Sequence, residues 1–107
     1  MPNWSKEDHE NEEGVITERK QKVDKPPMYK VLLHNDDFTT QEFVVLILQS
    51  VFHKNFADAF KIMMAVHNAG IGIAGVYTHE IAEAKCNKVN DMAQSQGFPL
   101  LCTVEEE

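Results

Sequence analysis

A surplus of positive charge is the plainest thing this sequence lacks. Ten Lys and Arg stand against seventeen Asp and Glu, for a formal net charge of -7 and a pI near 5.1. Binding a phosphate backbone needs grouped cations, so nucleic acid is excluded as the main partner and an electropositive or neutral ligand is favoured. Cysteine is scarce too. Cys86 and Cys102 are the two present, without C-x-x-C spacing; this speaks against a zinc knuckle or a redox pair and for two small core residues. No apolar run approaches the ~20 residues of a membrane span, and the opening MPNWSKEDHENEEG has neither the basic nor the apolar region of a secretory signal. A soluble, cytoplasmic protein is the expectation.

Catalytic signatures are also missing. The five histidines, His9, His34, His53, His67 and His79, show no H-E-x-x-H or other paired-ligand spacing, so neither a metal nor another cofactor is indicated. Asp36 and Asp37 are adjacent, and neighbours on an extended chain point apart, which is poor geometry for a shared acid/base pair. No serine stands in a nucleophile elbow. The segment Gly70-Ile71-Gly72-Ile73-Ala74-Gly75 satisfies G-x-G-x-x-G formally, yet no helix is expected to open at the third glycine, and the dinucleotide reading fails. The sequence therefore predicts a protein without enzymatic activity.

What is present is enough for one domain: 107 residues, 43% of them hydrophobic. Residues 1–24 are dominated by charged and amide side chains, with Trp4, Val15 and Ile16 as isolated apolar groups, too little burial to offset the entropy of ordering them. A flexible tail is expected there, and Lys25-Pro26-Pro27 marks the start of a folded unit over 25–107. Met28 to His34 reads as a strand internal to a sheet. Gln41 to about His53 is apolar almost all round and predicts a core helix. Asn55 caps a second helix running to about Ala69, where Gly70 supplies a left-handed stop. Gly70 to Tyr77 is a second strand whose glycines permit close backbone approach. Thr78 caps a third helix through about Gln94, with Ile81, Ala82, Val89, Met92 and Ala93 inward and Glu80, Glu83, Lys85 and Lys88 outward. Leu100 to Val104 is a last strand. The order β-α-α-β-α-β predicts an α+β fold in which three strands pack on three helices.

The stretch from Leu33 to Phe43 is where an apolar run breaks into Asn35-Asp36-Asp37 and then enters the core helix. Those three side chains cluster oxygen acceptors. Thr39-x-x-Glu42 has the form of a capping box, with Phe38 and Phe43 placed for a hydrophobic staple that would fix the loop. The loop reads as the edge of a small binding pocket, or else as an ordinary turn. Phe56, Phe60, Met63 and His67 recur at helical spacing on the second helix, with Val66 adjoining. Core packing and a ligand-facing stripe both fit that pattern.

Taken together, Lys25-Pro26-Pro27, Tyr29-Lys30-Val31-Leu32-Leu33, Asn35-Asp36-Asp37-Phe38-Thr39, Met63-Met64-Ala65-Val66-His67, Gly75-Val76-Tyr77-Thr78 and Pro99-Leu100-Leu101-Cys102-Thr103 resemble the ClpS family, the N-degron adaptors of the Clp protease. The resemblance covers about Lys25 to Glu105, and the implied fold is similar to the C-terminal domain of the ribosomal stalk protein. It implies a site that takes proteins whose first residue is Leu, Phe, Tyr or Trp. Asn35, Asp36 and His67, the last with a neutral ring, would then receive the α-ammonium, which has three donors and no acceptor. Asp37 would add negative potential or hold the loop. Met63, pliable and polarizable, would line the apolar depth with Val66, Val44, Thr39 and Leu100. Gln41 stands where the family usually has methionine, at a rim position that resembles a gate, and Thr40 stands where proline is common. Glu80 and Lys85 match positions that the family uses to dock a ClpA or ClpC type AAA+ unfoldase, and a solvated helix face is the other reading of those charges. The resemblance also gives the tail a use in engaging the unfoldase. Nothing requires more than a monomer. The alternative is a module of the same fold that binds peptides or proteins without reading N-termini.

Overall fold

The computed structural model describes residues 25–107, so the expected tail over 1–24 lies outside the described residues. β1 (Met28–His34) is followed by α1 (Gln41–Ser50), α2 (Phe56–Ala69), β2 (Ile71–Thr78), α3 (His79–Gln96) and β3 (Leu101–Glu106). The sheet order is β2-β1-β3, both neighbours antiparallel to β1. This is the α+β architecture that the sequence predicts. β1 is the central strand, flanked on both edges, and its consecutive Val31, Leu32 and Leu33 are all buried. Val31 and Leu33 point into the main core with Ile47, Leu48, Val89 and Cys102. On the other sheet face Ile71, Ile73, Val76 and Leu101 remain exposed.

Pairing of β1 with β2 slips by one residue between Val31 and Leu32, where Val31 faces Gly75 and Leu32 faces Ile73. The extra residue is Ala74, almost wholly buried, so the bulge keeps a small side chain in the core while the rest of β2 changes register. Gly72 lets β2 lie hard against α2: a Cβ there would come within 2.6 Å of Val66 Cγ2. That is the close approach the strand's glycines foretell.

The helices obey local rules, with instructive departures. Asn55 caps α2 by accepting from Asp58 N–H at 2.8 Å, and Gly70 ends it at φ 88°. On α3, Ala82, Cys86, Val89 and Ala93 form the buried stripe, at spacings of 4, 3 and 4. Ile81 lies about 100° round the helix from Ala82 and is exposed, contrary to its expected inward place. Met92 is half-buried, and Thr78 occupies the N-cap position without a side-chain capping bond. α1 stops at Ser50 rather than near His53, because the chain turns back through His53 at φ 56°, with Lys54 N–H donating to Leu48 O at 3.0 Å. Its surroundings are also less complete than its composition predicts. Phe43, Val44, Ile47 and Leu48 are buried, whereas Leu46 is exposed.

α3 is tied to β3 by a polar knot that sequence periodicity does not announce. Cys86 Sγ donates to Cys102 O at 2.8 Å, Asn90 Nδ2 donates to the same oxygen at 3.3 Å, and Cys102 N–H donates to Asn90 Oδ1 at 3.1 Å. Both cysteines are free and buried. Burial first, and then the neighbouring Cys86, push the Cys102 thiol far above its ordinary 9.0, so it stays protonated and unreactive.

Candidate functional site

The loop between β1 and α1 is built around one carboxylate. Asp36 Oδ1 accepts from Phe38 N–H at 2.8 Å and from Thr39 N–H at 2.7 Å, while Oδ2 accepts from the Thr39 hydroxyl at 2.8 Å. Aspartate suits this role because its short side chain reaches backbone donors two and three residues on. The expected capping box therefore does not form, and the cap moves on by one residue. Thr39 is committed to Asp36, and it is Thr40 that caps α1, its hydroxyl accepting from Phe43 N–H at 3.1 Å. The hydrophobic staple is absent as well: Phe38 is 75% exposed, and Phe43 packs against Phe98, ring centroids 4.9 Å apart.

Burial acting alone would raise the Asp36 pKa, but the hydrogen bonds from Thr39 N–H, the Thr39 hydroxyl and Phe38 N–H outweigh it and hold the carboxyl below its ordinary 3.8. Because the folded group titrates below the unfolded one, the stability these bonds supply is complete above the ordinary value. It is lost as pH falls through the lower, folded one. In an acid titration followed by NMR, the Phe38 and Thr39 amide resonances are expected to move together, with one midpoint below 3.8. Separate midpoints, or amides that hold still until the protein unfolds, would contradict a shared carboxylate.

The loop is anchored to the far end of α2. Asn35 N–H donates to Gly70 O at 2.9 Å, which sets Asn35 beside the junction that follows the last turn of α2, the turn that carries His67. The side chains of Asn35, Asp37 and His67 are exposed, whereas Asp36 and Thr39 are partly buried. Val44, Met63, Val66 and Leu100 are buried members of the main core cluster. Gln41, the first residue of α1, is exposed and shares a groove with Met63. The residues singled out from the sequence thus lie on a polar loop, on the last turn of α2 and, for the apolar ones, in the core, where α1, α2 and the residue before β3 supply them.

The α2 stripe divides rather than acting as one face. Ala59, Met63 and Val66 are its buried line, and Phe56 and Phe60 stand out at 62% and 46% exposure beside it. Glu80 and Lys85 lie on α3, apart from the loop. Glu80 is exposed in the first turn. Lys85 is engaged within the fold: its ammonium donates to Val51 O at 2.7 Å and sits over the Phe52 and Tyr77 rings, 5.8 and 5.3 Å from their centroids. It therefore closes the C-terminal end of α1, where an orphan carbonyl invites a cation. Sequence reasoning misses this because the partners are 34 residues apart.

The family model for the ATP-dependent Clp protease adaptor protein ClpS matches residues 24–103. The chain belongs to the ClpS family. Curated ClpS adapter proteins are similar to it over most of their length. The one from Desulfatibacillum aliphaticivorans is 55% identical over 103 residues, covering 96% of this chain and 99% of the relative. The one from Myxococcus xanthus is 54% identical over 101 residues, covering 92% and 94%. Among solved structures, Agrobacterium tumefaciens ClpS2 bound to L-phenylalaninamide superposes with a TM-score of 0.76 at 38% identity, covering 78% of this chain and 100% of that one. The curated ClpS relatives are named for an adaptor role. No helix among the described residues is long and apolar enough to cross a membrane.

Proposed function

We propose that this ClpS-family chain reads the free α-amino group and the bulky first residue of N-degron proteins, Leu, Phe, Tyr or Trp, and delivers them to a ClpA or ClpC type AAA+ unfoldase, without chemistry of its own. The observation that carries this reading is the 2.9 Å bond from Asn35 N–H to Gly70 O. It ties the loop that bears the acceptors to the residue just after the last turn of α2, the helix that carries His67, Met63 and Val66. An ammonium is matched by such a loop: Asn35 offers an amide oxygen, His67 a ring lone pair when neutral, and Asp36 the lone pairs its loop contacts leave free. Asp37 adds negative potential. A leucine or phenylalanine side chain over Met63, Val66, Val44, Leu100 and the Thr39 methyl would contribute ~1.5 to 3 kcal/mol on full burial, enough to select against small first residues. The ligand of the Agrobacterium tumefaciens structure, an amino-acid amide with a free amine and an aromatic side chain, has the same chemistry.

In this reading Gln41 gates the rim with a polar side chain of methionine-like length and alters the preference among the accepted residues. Glu80 and Lys85 meet the unfoldase, and residues 1–24 join that contact while 25–107 hold the degron. The protein acts as a cytoplasmic monomer. Two readouts test the scheme together. Free-amine peptides differing only at the first residue should rank Leu, Phe, Tyr and Trp at least tenfold above Ala, with the order changed in Gln41→Met. The full chain should accelerate degradation of a Phe-first protein by an unfoldase and its peptidase. Equal affinities across first residues, or no acceleration, would overturn it.

A further inference from the structure

Beside the proposed amine site runs a second apolar feature, most of which that site does not use. A groove of about 280 Å³ between α1 and α2 is lined by Gln41, Glu42, Val45, Phe56, Phe60 and Met63. Its outer wall is the exposed pair Phe56 and Phe60, ring centroids 6.1 Å apart. Two large aromatic side chains one turn apart on a solvent-facing line contribute little to the core, since Ala59, Met63 and Val66 already bury that helix. Exposed apolar side chains grouped in this way mark contact surfaces.

The groove shares Gln41 and Met63 with the pocket proposed for the first residue, and that sharing sets a register. Along α2, Phe60 lies three residues and Phe56 seven residues before Met63, about 4.5 and 10.5 Å at 1.5 Å per residue. In an extended peptide the first and third side chains point the same way, about 6.7 Å apart. A peptide whose first side chain rests on Met63, running towards the N-terminal end of α2, therefore brings its third side chain between Phe60 and Phe56. We infer that this groove is a subsite for the third residue of the N-degron, selecting an apolar side chain there and, through Glu42, disfavouring an acidic one. The inference rests on the amine-reading function proposed above and adds a second determinant to it.

The test uses the full chain and peptides that begin Phe-Ser-Ser, Phe-Ser-Leu and Phe-Ser-Asp with an identical remainder. A half-buried leucine is expected to raise affinity about three- to tenfold over serine, and the aspartate peptide should bind more weakly than the serine one. In a Phe56→Ser, Phe60→Ser double variant, the leucine-to-serine ratio should fall to near one; both side chains are outside the core, and a urea midpoint checks that the variant folds. Affinities equal within twofold in the parent protein, or a leucine preference that survives in the double variant, overturn the subsite. The peptides acetylated at their first residue separate the two claims. Loss of binding on acetylation with no third-residue effect sinks the subsite alone, whereas acetylated peptides that bind as tightly as free ones remove the amine reading and the register that depends on it.

Discussion

Asp36→Ala is expected to lower affinity for a free-amine, Phe-first peptide by about a hundredfold, the largest binding effect of any single substitution in the loop. Two losses combine. The carboxylate takes three loop hydrogen bonds, from Phe38 N–H, Thr39 N–H and the Thr39 hydroxyl, and without it Phe38 and Thr39 lose the contacts that hold them. It also supplies negative charge beside the proposed ammonium position, and truncating one member of a hydrogen-bonded charge pair costs about 2 to 5 kcal/mol. Asp36→Asn separates the contributions. An amide oxygen can still accept the two backbone N–H groups, and the Thr39 hydroxyl can turn to accept from the amide nitrogen, so the loop persists while the charge goes. A loss of about tenfold is expected for Asn, one factor of 1.4 kcal/mol. Isothermal titration of both variants decides. Equal, severe losses would assign everything to charge, and two neutral variants would remove Asp36 from the site.

Met63→Ala is expected to carry the largest stability effect among the site residues. Met63 is 3% exposed and belongs to the main core cluster with Val44, Val66 and Leu100, so truncation leaves a cavity and costs about 2 to 5 kcal/mol. Reduced peptide affinity would follow from that alone and would prove little. Met63→Leu is the informative partner, since a swap that conserves volume costs under about 1.5 kcal/mol. It removes the flexible thioether, which accommodates flat rings and branched chains alike. The Leu variant should unfold near the parent's urea midpoint and yet change the ratio of Phe-first to Leu-first affinities. An unchanged ratio would leave Met63 as a core residue with no part in recognition.

How far the sequence carried the architecture depends on how local each determinant is. The helix stop at Gly70, the cap at Asn55, the buried central strand through Val31 and Leu33 and the close approach at Gly72 each follow from a residue and its immediate neighbours, and the structure has them where the sequence puts them. The capping box does not form because two threonines compete for the cap. Thr39-x-x-Glu42 has the better local form, but Asp36 claims both the Thr39 hydroxyl and its N–H, leaving Thr40 to cap α1. Phe38 goes to solvent because the ring expected to staple it, Phe43, has a partner in Phe98, far along the chain and invisible to a window of seven residues.

The same limit explains the helix faces. Periodicity identifies an apolar line on α2 but cannot choose between two lines one residue apart, so Ala59, Met63 and Val66 went inward while Phe56 and Phe60 were left at the surface. Ile81 was misplaced for the same reason. The partners of Lys85, whose ammonium bonds the Val51 carbonyl and faces two rings, lie too far along the chain for periodicity to find. For the candidate site, the residue types were legible in Asn35-Asp36-Asp37 and in Met63 to His67. What joins them, the Asn35 to Gly70 contact, is tertiary and had to be seen.

Calorimetric titration of one Phe-first peptide in two forms, with its α-amino group free and with that group acetylated, tests the central claim most directly. The account predicts that the free form binds and that acetylation, which removes the cation and replaces it with a bulkier neutral amide, abolishes measurable binding while leaving the side chain untouched. Equal affinity for the two forms would contradict it.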